Sequence, residues 1–235
     1  MTDEILLYYA PTPNGWKISI ALEEMQLAYD SFLLDLTSGV QFEDWFVEIS
    51  PNKRMPAIMD PCGPEGTPIT VFESGAILQY LARKTGQFYG ETELERLAVD
   101  QWLIWQMAGL GPNCGQAFHF LKYAPSMEPS QNLPYAKDRF RREVERLLYV
   151  MDWQLARSEY IAGSFYSIAD MACWPWASLW RGMEQTLDDK PNLQRWLELL
   201  KARPLLRKGR SLHEKARIKP QEDPSTHSVL FGSKR

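Results

Sequence analysis

The chain has 235 residues, a net charge of −4, a hydrophobic fraction of 45% and a charged fraction of 24%, values that exclude a strongly basic nucleic-acid-binding chain. No apolar run approaches the ~20 residues of a membrane-spanning helix, and the acidic N-terminus lacks a secretory signal pattern. The three cysteines, Cys62, Cys114 and Cys173, form no C-x-x-C pair and no closely spaced metal-ligand set. We therefore expect a reduced, cytoplasmic protein without a metal site, bound to neither membrane nor nucleic acid.

The first predicted elements are a strand over residues 5–9, a sharp loop and a helix over residues 13–26. Thr12 precedes Pro13, and a residue before proline is held in the extended backbone that a helix N-cap needs. Proline is favoured at the first helical position, so both residues predict the same helix start. The positive end of this helix, with the Thr12 hydroxyl and the Asn14 amide, suits an anion such as a thiolate. A plain capped helix start explains the same residues.

The next elements complete a small α/β domain. A second strand over residues 29–36 forms a parallel crossover unit with the first strand and the helix. A loop with some helical content leads to a short strand over residues 53–59, which makes a hairpin with residues 69–72. A helix over residues 74–84 follows, capped by Ser74.

Two positions in this domain offer contacts to a peptide-like ligand. Glu73 directly precedes a helix start, so Glu73 can take an ammonium group while Ser74 and the unpaired backbone N–H groups take a carboxylate. A Glu beside an ordinary cap is the alternative. A cis bond between Met55 and Pro56 would present the backbone N–H and C=O of Met55 to an extended ligand.

After Gly90 the pattern becomes helical. A long aromatic helix is predicted over residues 93–121, and His119 follows a Gly-rich stretch where a bend would place it along a cleft. Ser167 and Asp170 match a capping box, which is a structural feature. Further helices are predicted over residues 135–156, 167–182, 192–201 and 204–215. The polar residues from 221 onwards are expected to be poorly ordered.

Together these motifs resemble the soluble glutathione transferases, most closely the bacterial Nu class, which is also described as glutathione-dependent disulfide-bond oxidoreductases. The segments that carry the resemblance are residues 10–15, 49–52, 55–58, 72–77 and 166–170. The resemblance implies a thioredoxin-like α/β N-terminal domain over residues 1–87 and an all-α C-terminal domain over residues 92–216. It also implies a homodimer. Residues 217–235 form a polar tail that we do not match to the family.

The resemblance assigns residues to bound glutathione, as one molecule, two molecules or the disulfide form. Gln41 would reach the glycyl end, and Met55 would pair its backbone with the cysteinyl unit beside cis Pro56. The pair Glu73-Ser74 would hold the γ-glutamyl amino and carboxylate groups. Arg139 looks like the arginine that this class contributes from the neighbouring subunit.

The catalytic assignment rests on the first loop. Thr12 and Asn14 would lie near the glutathione sulfur and stabilise its thiolate. Some transferase classes use a tyrosine near the end of the first strand instead, and Tyr8 and Tyr9 stand there, but the Thr-Pro-Asn loop fits the first scheme better.

The function implied is glutathione-dependent reduction of small disulfides, with the bound glutathione thiolate as nucleophile and with weak transferase or peroxidase activity. The alternatives are a conventional transferase acting on electrophiles and a regulatory protein that binds glutathione with little turnover, as a related fungal nitrogen regulator illustrates.

Overall fold

The computed structural model describes residues 3–218 and 226–231, which belong to two compact units. The first unit combines the N-terminal segment up to Thr85 with the C-terminal segment from Pro204 onwards. The second unit is Gly86–Arg203.

Strands and helices alternate along the chain up to Thr85, and all the described elements after that residue are helices. The first segment holds β1 (Ile5–Tyr9), α1 (Pro13–Glu24), β2 (Tyr29–Leu33), α2 (Asp44–Ile49), β3 (Ala57–Asp60), β4 (Ile69–Phe72) and α3 (Ser74–Thr85). The second unit holds α4 (Glu93–Trp105), α5 (Gly111–Phe118), α6 (Pro134–Leu155), α7 (Ile168–Ala177) and α8 (Pro191–Lys201). The C-terminal segment holds α9 (Pro204–Ser211) and α10 (His227–Leu230).

The four strands of the described chain form one sheet in the order β2-β1-β3-β4. β1 pairs in parallel with β2, and β3 is antiparallel to both β1 and β4. On one face of the sheet, Phe46 of α2 packs against Tyr8 and Ala57. Because successive side chains of a strand point to opposite faces, Tyr9 faces the other side, where α1 packs with α3 and α9. The predicted parallel crossover, hairpin and α/β class are confirmed.

Two predicted strands are too long at one end. β2 ends at Leu33 instead of residue 36, because the Asp35 carboxylate accepts hydrogen bonds from the backbone N–H and the hydroxyl of Thr37 and closes a turn. β3 begins at Ala57 instead of residue 53, because Lys53 adopts a positive φ of 56° in the preceding turn.

The segment from Pro204 onwards, which we predicted to belong to the helical domain, packs on α1. Gly209 of α9 lies so close to α1 that an added Cβ would stand 2.6 Å from Ile20 Cα and 2.6 Å from the carbonyl oxygen of Ser19. The Ser19 hydroxyl donates to the Gly209 carbonyl at 2.7 Å. A side chain at this crossing would collide with backbone atoms, so the glycine is what lets the two helices approach.

The long predicted helix of the second unit is interrupted by two π-helical segments. One covers Gln106–Leu110 between α4 and α5, and the other covers His119–Tyr123 after α5. The chain stays helical throughout, and the first π-helical segment includes Gly109 of the Gly-rich stretch, whereas a bend at that stretch stays a prediction. His119 contacts the rings of its neighbours Phe120 and Tyr123, and its predicted place along a cleft stays a prediction.

The predicted capping box at the start of α7 is confirmed. The Asp170 carboxylate accepts hydrogen bonds from the backbone N–H and the hydroxyl of Ser167, both at 3.0 Å. It also accepts from the backbone N–H of Ile161 and from the indole N–H of Trp196, at 2.9 and 2.8 Å. This fully buried carboxylate therefore ties three parts of the second unit together.

Of the predicted polar tail, the structure describes residues 217–218 and 226–231, and the short helix α10 begins at the buried His227, directly after the buried Thr226. Residues 219–225 and 232–235 lie outside the described part, so the poor order predicted from residue 221 onwards stays a prediction for those of them that it covers, whereas His227–Leu230 form a helix. Among the helices that the structure describes, none has the length and apolar character needed to cross a membrane.

Candidate active site

The strand pairing brings three loops to one end of the sheet. β3 runs antiparallel to β1 with Tyr8 opposite Ala57, and antiparallel to β4 with Ala57 opposite Phe72. The end of β1, the start of β3 and the end of β4 therefore meet. As a result, the loops that contain Thr12, Met55 and Glu73 emerge side by side.

Thr12 is the N-cap of α1, as predicted. Its backbone is extended, with φ −118° and ψ 163°, Pro13 follows at the first helical position, and its hydroxyl oxygen accepts from Gly15 N–H at 3.3 Å. The hydroxyl itself donates to the sulfur of Met55 at 3.5 Å. A thioether is a weak acceptor, so this hydrogen bond is easily exchanged for one to a charged sulfur.

The first turn of α1 lies unusually close to the end of β1. A Cβ on Gly15 would stand 2.3 Å from the carbonyl oxygen of Ala10, so no larger residue fits without moving the backbone. Asn14 occupies the second helical position and is partly exposed. The glycine therefore fixes where Thr12 and Asn14 stand relative to the strand.

The Met55–Pro56 peptide bond is cis, as the resemblance implies. Pro56 is buried, whereas Met55 is partly exposed directly before β3. The backbone groups of Met55 stand at the end of the sheet where the three loops meet.

Glu73 is exposed and has a positive φ of 68°, which is uncommon for a residue other than glycine. Asn52 donates to its carboxylate at 3.2 Å. We had predicted Ser74 as the N-cap of α3, but Ser74 is the first residue of the helix. The carbonyl of Glu73 already accepts a hydrogen bond from Ile77 N–H, so the cap position lies one residue earlier than predicted. The Ser74 hydroxyl instead accepts a hydrogen bond from Lys17 at 3.4 Å.

Gln41 is only 3% exposed, and its amide nitrogen donates to the carbonyl of Leu36 at 3.3 Å. Its side-chain oxygen has no hydrogen-bond partner within the described residues. The observed contact stabilises the loop before α2, and a contact of Gln41 with the glycyl end of glutathione stays a prediction.

Arg139 belongs to α6 in the second unit. Its guanidinium is exposed and lies 3.7 Å from Glu143, one helical turn further along. A surface pair of this kind contributes little, so the guanidinium is available to another partner. Its predicted contact with glutathione stays a prediction.

The two tyrosines of β1 are engaged elsewhere. The Tyr9 hydroxyl donates to the carbonyl of Leu212 at 3.2 Å, and burial raises the pKa of Tyr9 to about 12. Tyr8 packs among the rings of Phe32, Trp45 and Phe46, and burial raises the pKa of its hydroxyl as well. Neither environment favours a tyrosine that stabilises a thiolate, which leaves the loop at Thr12 as the better candidate.

No cysteine stands at a helix start. Cys62 is exposed in the hairpin turn after β3, where partial desolvation of the sulfur and the nearby Asp3 carboxylate raise the pKa of its thiol. Cys114 and Cys173 are buried within α5 and α7. Among residues 3–218 and 226–231, no group of three or more His, Cys, Asp or Glu side chains is placed to hold a metal ion.

Two contacts at the site were not foreseen from the sequence. Asn52 lies in a segment that we used for the resemblance, but nothing in that segment indicated that its amide reaches Glu73. Lys17 lies on α1 between apolar neighbours, and only the packing of α1 against α3 brings its ammonium to Ser74. Both depend on contacts between loops and helices that are distant in the chain.

Changing Glu73 to Gln tests the predicted γ-glutamyl clamp. The variant keeps the side-chain oxygen that Asn52 contacts but removes the charge offered to an ammonium group. We expect glutathione to bind about tenfold more weakly in calorimetry, near the lower end of what a charge-assisted hydrogen bond contributes. Glu65→Gln makes the same change in the exposed hairpin turn and should leave the affinity unaltered. Equal affinity for Glu73→Gln and the unmodified protein would contradict the assignment.

An α/β unit with three loops at one end of its sheet, one of them carrying a cis proline, is combined here with a separate helical unit. Models of known families match both parts. The glutathione S-transferase N-terminal domain matches residues 4–83, and the glutathione S-transferase C-terminal domain matches residues 114–204. The chain therefore belongs to the glutathione S-transferase family.

Individual relatives are similar over most of the chain. Disulfide-bond oxidoreductase YfcG from Escherichia coli (strain K12) is 46% identical over 199 residues, which cover 84% of this chain and 90% of YfcG. A crystal structure of glutathione transferase from Pseudomonas putida, with one glutathione disulfide bound per subunit, gives a TM-score of 0.84 at 38% identity and covers 90% of this chain and 92% of that one.

A further crystal structure, of glutathione transferase BgramDRAFT_1843 from Burkholderia graminis, has two glutathione molecules bound per subunit. It gives a TM-score of 0.83 at 39% identity and covers 91% of this chain and 90% of that one.

Proposed function

We propose that this protein is an enzyme that uses glutathione to reduce disulfide bonds in small molecules. In the balanced reaction, a disulfide R–S–S–R′ and two glutathione molecules give the thiols R–SH and R′–SH and one glutathione disulfide. The two electrons come from the two glutathione sulfurs, and their two protons end on the released thiols. The names of YfcG and of the glutathione-bound structures support both the reaction and the ligand.

The observation that carries this proposal is a hydrogen bond at the capped start of α1, where the Thr12 hydroxyl donates to the sulfur of Met55. A thiolate bound there would meet the hydroxyl, the Asn14 amide and the positive end of the helix. In the same arrangement the backbone of Met55 would pair with the cysteinyl unit. Glu73, directly before α3, and Ser74, its first residue, would receive the γ-glutamyl group.

The size of these effects is sufficient for the chemistry. A free thiol has a pKa near 8.5, and one hydrogen bond to the charged form contributes about 1.5–3 kcal/mol. At about 1.36 kcal/mol per unit, such a bond lowers the thiol pKa by about one to two units. The helix N-terminus adds about 0.3–1 kcal/mol in the same direction. A bound thiol would therefore be largely ionised near neutral pH.

Turnover on two substrates tests the function. The purified protein is given glutathione with either a model disulfide or a chloronitroaromatic electrophile. We expect glutathione-dependent reduction of the disulfide and slower conjugation of the electrophile. Faster conjugation than reduction would identify a conventional transferase, and binding of glutathione without turnover on either substrate would identify a regulatory protein.

We include a homodimer and a cytoplasmic location in this proposal. Three leucine or isoleucine side chains on one face of α4 are exposed by 78%, 54% and 61%, namely Leu94, Leu97 and Ile104. Their spacing by three and seven residues places them in one apolar stripe along the helix, which polar residues interrupt between Leu97 and Ile104, and exposed apolar side chains grouped on one face are typical of a covered surface. The three cysteines are all free thiols, in keeping with a reducing compartment.

Arg139 and the α4 stripe are tested together. If Arg139 reaches the glutathione of a partner subunit, Arg139→Ala should weaken glutathione binding by about 1.5–3 kcal/mol and leave the dimer intact in sedimentation. Leu97→Glu should produce a monomer that binds glutathione as weakly as Arg139→Ala does, because the partner subunit and its Arg139 are then absent. Adding Arg139→Ala to Leu97→Glu should then cause no further loss. A monomeric unmodified protein at micromolar concentration would contradict this account.

A further inference from the structure

One buried cation of the first unit is not part of the site described by the resemblance. Lys17 lies on α1 and is only 2% exposed. Lysine is almost never buried to this extent unless it is paired, because taking an ammonium group out of water is costly. The ammonium group of Lys17 is accordingly held by hydrogen bonding inside the unit, and the hydroxyl of Ser74 is one of its partners.

The ammonium lies beside the start of a second helix. Lys17 Nζ is 3.4 Å from the hydroxyl oxygen of Ser74, and Ser74 is the first residue of α3. The first backbone N–H groups of a helix have no partner within the helix, and they give its N-terminus a partial positive charge. A full and a partial positive charge therefore coincide next to Glu73, whose carboxylate is exposed.

The contact also defines the role of the hydroxyl. An ammonium group can only donate hydrogen bonds, so the oxygen of Ser74 is the acceptor toward Lys17. The O–H of Ser74 is therefore turned away from Lys17. With Lys17 behind it, the Ser74 hydroxyl is suited to donate to an anionic group.

We infer that Lys17 is a positioning residue for the α-carboxylate of the γ-glutamyl group of glutathione. It orients the Ser74 hydroxyl and adds a buried positive charge behind it, while Glu73 faces the amino group of the same zwitterion. This inference rests on the proposed function, because it concerns how the same site selects a γ-glutamyl thiol over a thiol that lacks this carboxylate.

A comparison of two ligands tests the inference. Calorimetry measures the binding affinity of the protein for glutathione and for γ-aminobutyryl-cysteinyl-glycine. This analogue keeps the amino group of glutathione and lacks only the α-carboxylate. The unmodified protein should bind glutathione more tightly than the analogue. Lys17→Met, which is similar in length and uncharged, should weaken glutathione binding about tenfold and leave binding of the analogue unchanged. Lys17→Arg should recover part of the preference.

The controls separate this inference from the proposed function. Lys208→Met removes a positive charge from an exposed position of α9 in the same unit and should change neither affinity. If the unmodified protein binds neither ligand, the proposed function fails. If it binds glutathione and Lys17→Met weakens both ligands equally, Lys17 has only a structural role and the inference is overturned.

A second variant keeps the test decisive if Lys17→Met does not fold. Ser74→Ala leaves Lys17 in place and removes the hydroxyl that it orients. We expect Ser74→Ala to weaken glutathione binding and to leave binding of the analogue unchanged. Equal weakening of both ligands would show that the Lys17–Ser74 pair does not meet the α-carboxylate.

Discussion

Thr12→Ala is expected to lower glutathione-dependent disulfide reduction at pH 7 by about 10- to 100-fold. The variant removes the hydroxyl that donates to the Met55 sulfur, and with it the hydrogen bond of about 1.5–3 kcal/mol that would favour a bound thiolate. Because the bound thiol would then ionise at higher pH, the pH profile of kcat/KM should shift upward by about one to two units. A steady-state pH series measures both effects.

The same substitution also removes the N-cap of α1, which contributes about 1 kcal/mol to stability. Thr12→Ser keeps both the cap and the hydroxyl, so this variant should retain most of the activity and the original pH profile. A loss of activity in Thr12→Ala without any shift of the pH profile would show that the hydroxyl does not act on the thiolate.

Asp170→Ala is expected to cause the largest loss of stability. The substitution leaves the indole N–H of Trp196 and the backbone N–H of Ile161 buried without their acceptor, at about 1–3 kcal/mol each. It also removes the capping box at Ser167, so the total loss in the free energy of unfolding is about 4 kcal/mol. We expect Tm to fall by about 10 °C in a thermal melt.

A capping box at the start of α4 supplies the control. Thr92 and Glu95 make the same pair of reciprocal hydrogen bonds on the surface, so Glu95→Ala should cost about 1 kcal/mol or less. Burial raises the pKa of Asp170 to about 6, and hydrogen bonds from its neighbours oppose that rise, so the melts are compared at pH 7.5 where the carboxylate is ionised. Equal losses for the two variants would contradict the role of burial.

The sequence was most informative where local rules determine the backbone. Thr12 before Pro13 predicted the start of α1 to the residue, and the alternation of apolar runs with turns predicted all four strands of the described sheet. The resemblance supplied the family and the cis bond at Pro56, both of which are confirmed. The helix start, the strands and the cis bond each depend on residues that are close together in the chain.

Contacts between distant residues could not be predicted in the same way. A glycine within a helix, such as Gly209, is expected to lower the stability of that helix. Only the close approach of Gly209 to Ile20 shows why α9 belongs to the first unit. The polar side chain of Lys17 reads as solvent-exposed until α3 is placed against it. Local patterns describe each element but do not specify which other element will cover it.

The central claim is that the attacking thiolate belongs to bound glutathione and not to the protein. It is tested most directly by the rate of disulfide reduction in a protein without cysteine. Cys62→Ser suits the exposed position, while Cys114→Ala and Cys173→Ala avoid burying a hydroxyl. With the fold intact by circular dichroism, we predict that this triple variant keeps most of the glutathione-dependent activity. Loss of that activity would show that a protein thiol is the nucleophile and would contradict the mechanism.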